Sequence, residues 1–272
     1  MTNKNMDKKS IIEYIRNKSG FICDMDGVIY HGNKILEGVK EFVSWLKDEN
    51  KKFVFLTNSS ENTIKELQGK LSRMGLVVGF EHFYTSALAT ATFLQSQNPN
   101  GSAYIIGEAG LINALYDVGY SSNNIDPDYV VMGEARSYSY EVIERAVNLV
   151  SRGARLIGTN PDISGPIENG IAPATKALIS PIELVTGKQA YFVGKPNPLM
   201  MRIALKKLGM RREDTIIIGD RMDTDIVAGL EAEIDTCLVL SGISTEQSIT
   251  EFAYRPHYIL QGVNEIVKDY RI

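Results

Sequence analysis

A chain of 272 residues that is 44% hydrophobic and 23% charged, with a formal net charge of -4, has an ordinary globular composition and no basic footprint for a nucleic acid polymer or an anionic membrane. Small or phosphorylated ligands fit it better than polymers, and a prior of about 150 residues per domain allows one large domain or two modest ones. The two cysteines, Cys23 and Cys237, each sit in an apolar run. With a polar N-terminus and no apolar stretch long enough to span a bilayer, no disulfide framework is indicated and a cytoplasmic location is expected.

Residues 7–18 carry Ile11, Ile12 and Ile15 at helical spacing, which predicts a short amphipathic helix lying on the core. Phe21-Ile22-Cys23 then runs into Asp24-Met25-Asp26-Gly27, the pattern of a strand covered on both faces that stops at a turn bearing two carboxylates. Val28-Ile29-Tyr30 and Lys34-Ile35-Leu36 flank His31-Gly32-Asn33 and predict a small flap beside them; His31 reads as a ligand contact or as a solvated turn residue. A helix over 38–49 and a second buried strand, Phe53 to Leu56, follow, the strand emptying into Thr57-Asn58-Ser59-Ser60. A helix over 61–74, a short strand at Phe83-Tyr84 and a helix over 87–95 complete an α/β alternation.

From about Tyr84 to Pro181 the alternation restarts, with strands at 103–106, 129–132 and 155–158, helices near 111–116 and 140–152, and loops at 121–128 and 159–173. This predicts an inserted α/β domain at 84–181 within a core formed by 1–83 and 182–272. The last third resumes the first pattern: Tyr191-Phe192-Val193 into Gly194-Lys195-Pro196, a helix to Leu208, Thr215 to Ile218 into Gly219-Asp220-Arg221-Met222-Asp223-Thr224-Asp225, and a strand at Thr236 to Leu240. Right-handed crossovers would put the four strand ends with polar turns on one edge of the sheet, where open parallel sheets bind ligands.

Together those turns hold Asp24, Asp26, Asp220 and Asp225 against one lysine, Lys195, and so much like charge calls for a cation. Hard oxygen ligands suit Mg²⁺, held by Asp24, the main-chain carbonyl of Asp26, and Asp220. Asp225 would orient its waters or cap the next helix. Zinc is disfavoured, since His31, His82 and His257 are the only histidines and none is near a cysteine pair. Thr57 and Asn58, with Ser59 beside them, offer neutral donors to phosphoryl oxygens, and Lys195 supplies a point charge. Asp24 is then the nucleophile and Asp26 the acid and base. Asn160 and Asp162, on the long loop, either reach the leaving group or form an ordinary turn.

These residues resemble the haloacid dehalogenase superfamily of phosphatases, whose four motifs correspond in order to Asp24 to Val28, Thr57-Asn58, Lys195 and Gly219 to Asp225. The insert between the second and third resembles the large cap of the class that carries its cap at that point. Phe83 to Ala87, Gly133 to Tyr138, Thr159 to Asp162 and Val193 to Pro196 look like the NagD-like, nucleotidase and p-nitrophenyl phosphatase branch. The resemblance implies a three-layer Rossmann-like core with a parallel sheet and an α/β cap. It also implies a Mg²⁺-dependent phosphomonoesterase acting on nucleoside monophosphates or sugar phosphates. Ser59-Ser60 stands where the nucleotidase members have an aromatic residue and proline. A phosphotransferase and a non-catalytic phosphoacceptor or nucleotide-binding module are the alternatives, and a homodimer through exposed strand edges of the cap is a further expectation.

Overall fold

Fully apolar runs fold as strands only where both faces are covered, because they offer water no polar side. The computed structural model describes residues 7–167 and 170–268. It divides into two compact units: one holds the residues up to Thr57 with Gln68–Phe83 and Met201 onward, the other Asn58–Leu67 and Tyr84–Met200.

The first unit is built on a six-stranded sheet in the order Tyr258–Leu260, Asp235–Val239, Thr215–Gly219, Gly20–Cys23, Lys52–Thr57, Phe83–Thr85. The first five strands are parallel. Gly20–Cys23, near the middle, is buried throughout. The helix Val39–Asp48 covers it with Val39, Phe42, Val43, Trp45 and Leu46, and Phe21 meets the rings of Phe42 and Trp45 edge-on at 6.2 and 5.5 Å.

The predicted N-terminal helix is Lys8–Arg16, capped by the Asp7 carboxylate, which accepts from the Ser10 N–H at 2.7 Å. It buries Ile15 and is also held by polar contacts. Arg16 Nε donates to the Ile266 carbonyl at 2.7 Å, and Asp235 takes both Lys18, at 2.6 Å, and the Tyr14 hydroxyl, at 2.8 Å.

The second unit has its own five-stranded parallel sheet, ordered Tyr191–Phe192, Arg155–Gly158, Tyr129–Met132, Ser102–Ile106, Ser121–Ser122. Val130, Met132 and Leu156 from it pack with Ala146, Leu149, Ile179 and Ile182 of two helices. Tyr191–Phe192, expected to continue the first sheet, is therefore an edge strand of this one. Only two of its residues pair, and the Phe192 ring occupies the space a side chain on Gly158 would need.

Residues 159–173, expected as loop, contain an antiparallel hairpin, Ser164–Ile167 with Gly170–Pro173. The helix that follows, Thr175–Thr186, runs straight through Pro181, where the inserted domain was expected to end. Proline removes there the one N–H that would have donated to the Ala177 carbonyl, while the adjacent Lys176 and Leu178 carbonyls accept from the Ser180 hydroxyl at 2.5 Å and the Tyr138 hydroxyl at 2.7 Å.

Candidate active site

Parallel register performs the first step of assembly in the first unit. Cys23 stands opposite Ile218 on one side and Phe55 on the other, so Asp24, Gly219-Asp220 and Leu56-Thr57 leave the sheet at the same edge. The Asp24 N–H extends the ladder by donating to the Ile218 carbonyl at 2.9 Å. After Asp220 the chain makes a π-helical turn, Met222–Ile226, in which the N–H groups of Asp225 and Ile226 share the Arg221 carbonyl at 3.1 and 3.2 Å. Such turns recur at functional sites. Here it brings Asp225 back over the strand end, and carboxylate oxygens of Asp24, Asp220 and Asp225 lie within 4.8 Å of one another.

Glycines make room for this cluster. Gly27 has φ +81°, and a Cβ on Gly27 or Gly242 would overlap the Asp220 carboxylate, while one on Gly219 would overlap Asp225. Asp220 is 2% exposed and Asp225 fully buried, with Asp24 half-buried beside them. The Ile243 N–H fixes Asp220 Oδ2 at 2.7 Å and the Arg221 N–H fixes Asp225 Oδ2 at 3.1 Å. Three carboxylates this close repel one another unless a cation lies among them, and an all-oxygen donor set fits a hard divalent metal ion.

Asp26 lies two residues beyond Asp24. Burial pushes its carboxyl above the usual carboxylate range, an effect that His31 and Lys70 oppose. Its Oδ1 is 3.5 Å from Nδ1 of the largely exposed His31. His31 is held there by the predicted flap, in which Tyr30–His31 pairs with Lys34–Ile35. Thr57 ends the neighbouring strand and is buried.

The other residues read from the sequence belong to the second unit. Lys195 is 2% exposed and follows Gly194, where a Cβ would meet the Thr159 carbonyl at 2.6 Å; the Lys195-Pro196 bond is cis. Asn58 brackets the Lys195 main chain: its Oδ1 accepts from the Lys195 N–H at 2.7 Å, and its Nδ2 donates to the Lys195 carbonyl at 2.9 Å and to Asp162 Oδ2 at 3.0 Å. Asn160, fully buried, donates to the Asn58 carbonyl at 2.8 Å and to Glu134 Oε1 at 2.7 Å. The sequence reading offers the Asn58 amide to phosphoryl oxygens and leaves Asn160 between the leaving group and an ordinary turn; in the structure Asn58 holds the Lys195 main chain and Asp162, and Asn160 holds the Asn58 carbonyl and Glu134. Ser59 is half-buried. Glu134 and Ser60, which hydrogen-bond across 74 residues of sequence, carry no spacing signal that could have paired them.

A haloacid dehalogenase-like hydrolase profile matches residues 21–121 and a HAD-hydrolase-like profile matches residues 192–266. The chain is 44% identical over 246 residues to the dihydroxyacetone phosphatase of Corynebacterium glutamicum, covering 90% of each. It is 41% identical over 245 residues to the ribonucleotide monophosphatase NagD of Escherichia coli, covering 90% of this chain and 96% of that one. The solved 4-nitrophenylphosphatase of Thermotoga maritima superposes with a TM-score of 0.89 at 31% identity, over 93% of this chain and 98% of the other. The chain belongs to the haloacid dehalogenase-like hydrolase family. Within that family its likeness is to the NagD-like branch, and it is a phosphatase.

Proposed function

We propose that this phosphatase is a Mg²⁺-dependent monoesterase of small phosphorylated metabolites that works through an aspartyl-phosphate. The observation that carries the reading is the convergence of Asp24, Asp220 and Asp225 at the ends of adjacent parallel strands. Asp24 forms a bond to phosphorus as the ester P–O bond breaks, and Asp26 gives its proton to the departing oxygen. Water then adds to phosphorus, Asp26 takes its proton, and the bond to Asp24 breaks, releasing inorganic phosphate and restoring Asp24 as the carboxylate and Asp26 as the protonated acid. The raised proton affinity of Asp26 supports its starting as the acid. The Thr57 hydroxyl and the Lys195 ammonium are assigned to the phosphoryl oxygens. Mg²⁺ would be held by Asp24, Asp220 and the Asp26 carbonyl, with Asp225 behind them. When bound, the ion screens the nucleophile from the charge of the substrate.

Relatives named dihydroxyacetone phosphatase, ribonucleotide monophosphatase and acid sugar phosphatase support a small metabolite as substrate. A homodimer through the second unit is supported by Ile163, Ile167 and Ile171, exposed on and beside its hairpin. A reducing cytoplasm suits the free, buried Cys23 and Cys237, and among the described residues no helix is long and apolar enough to cross a membrane.

The test is p-nitrophenyl phosphate hydrolysis with Mg²⁺, after EDTA, and in Asp24→Asn, followed by phosphate release from a panel of nucleoside monophosphates and sugar phosphates. Turnover is expected only in the first condition. Equal rates in all three would refute the reading.

A further inference from the structure

Resting on the phosphatase reading, we infer that Glu134 is a positioning residue for Lys195, acting through Asn160 and Asn58. The main chain of Lys195 is gripped at both its N–H and its C=O by the Asn58 side chain, at 2.7 and 2.9 Å, which sets where the lysine side chain begins. Asn58 can do this only if its own backbone stays in place. Its carbonyl is held by the Asn160 amide at 2.8 Å and by the Ser86 hydroxyl.

Asn160 is oriented in turn. One amide hydrogen goes to Asn58 and the other to Glu134 Oε1 at 2.7 Å, while its oxygen accepts from the Asp162 N–H at 3.1 Å. The second oxygen of Glu134 accepts from the Ser60 N–H at 3.1 Å and from the Ser60 hydroxyl. Ser60 lies two residues after Asn58, so the single carboxylate ties the asparagine from both sides. Gly133 permits the approach, since a Cβ there would strike the Ser60 hydroxyl oxygen.

The arrangement needs a carboxylate. Both oxygens of Glu134 face donors, whereas a glutamine offers one acceptor and one N–H₂ and must set a donor against a donor at one end. Outer groups that orient the ligands of a metal contribute about 10–100-fold to affinity or activity, and the same scale is expected of the hydrogen-bond chain that orients Lys195.

The test is a double-mutant cycle of Glu134→Gln and Lys195→Ala, reading kcat/KM on p-nitrophenyl phosphate and competitive inhibition by inorganic phosphate. Glu134→Gln is expected to lower kcat/KM by about 10–100-fold and to weaken phosphate inhibition in the Lys195 background. In the Lys195→Ala background it should change neither beyond about twofold, the signature of one group acting through another. Glu134→Asp keeps two acceptors on a shorter stem and should recover most of the loss. If near-UV circular dichroism shows that the glutamine variant is misfolded, Asn160→Ala, which removes the link between Glu134 and Asn58, takes its place in the cycle with the same expected loss. Equal losses in both backgrounds would mean that Glu134 only supports the fold, and would overturn the inference while leaving the phosphatase reading intact. A wild-type protein without turnover overturns both.

Discussion

Replacing Gly242 with alanine tests whether the acidic cluster works only in its present geometry. A Cβ built on Gly242 stands 2.5 Å from both Cβ and Cγ of Asp220, where ordinary contact begins at 3.4 Å. The loop cannot back away, because it is pinned on both sides of that residue. The Ser241 hydroxyl donates to the Gly27 carbonyl at 2.7 Å, the Ile243 N–H to the Asp220 carboxylate at 2.7 Å, and the Ser244 N–H to the Asp220 carbonyl at 3.0 Å. The strain falls on the Asp220 side chain, which must move by about 1 Å, a displacement that costs on the order of 10²-fold in rate. That is about 2.7 kcal/mol of barrier, and overpacking adds about 1–3 kcal/mol of lost stability. In a Mg²⁺ titration of p-nitrophenyl phosphate hydrolysis, run well below the unfolding transition, Gly242→Ala should show a lower kcat and a higher Mg²⁺ requirement. A wild-type kcat with wild-type Mg²⁺ dependence would refute the reasoning.

Gly69→Ala is the matched opposite. Gly69 lies inside the helix Ile64–Arg73, and the nearest atom to an added Cβ is the movable Arg73 guanidinium at 3.4 Å, so a gain of about 0.5–1 kcal/mol is expected; an unchanged or lower Tm would contradict it. Lys18→Met leaves Asp235, about a quarter exposed, without its cation. Urea unfolding should show a loss of about 2–3 kcal/mol, below the 3–5 kcal/mol of a fully buried pair. Burial alone would raise the Asp235 carboxyl, but hydrogen bonds from Lys18 and Tyr14 outweigh it and hold it below the usual carboxylate range. Since the folded value is the lower one, this stabilisation is present above about pH 4 and fades as pH falls through the lowered value. Asp235→Asn should accordingly flatten the acid arm of stability against pH, and an unaltered arm would exclude the assignment.

The central sheet was legible because its strands are covered on both faces and so read as unbroken apolar runs. Phe21 to Cys23, Phe53 to Leu56 and Ile216 to Ile218 each end in the polar residues that build the site. The π-helical turn after Asp220 was not legible, although the carboxylate it returns, Asp225, stood out by type. Thr175–Thr186 is hidden by Pro181, which lacks an N–H and so breaks the helical pattern locally, although the helix continues through it. Tyr191–Phe192 pairs in the second sheet and not, as its place in the sequence suggests, in the first, because two residues of strand carry no sign of which neighbour they pair with. Asn58 and Asn160 show the other limit. Their residue type suggested donors for a ligand, but whether an amide faces a ligand or a backbone is decided by contacts with Lys195 and Glu134 that lie far off in sequence.

Asp24 and Asp220 stand on adjacent strands yet are separated by nearly two hundred residues of chain. A ribosome therefore emits the proposed nucleophile long before the groups that hold its cation, and the central pairing waits on a distant closure that is intrinsically slow. A stop codon anywhere ahead of Asp220 should abolish hydrolysis outright rather than by degrees, and newly made protein should acquire activity only once Asp220 and Asp225 have left the ribosome.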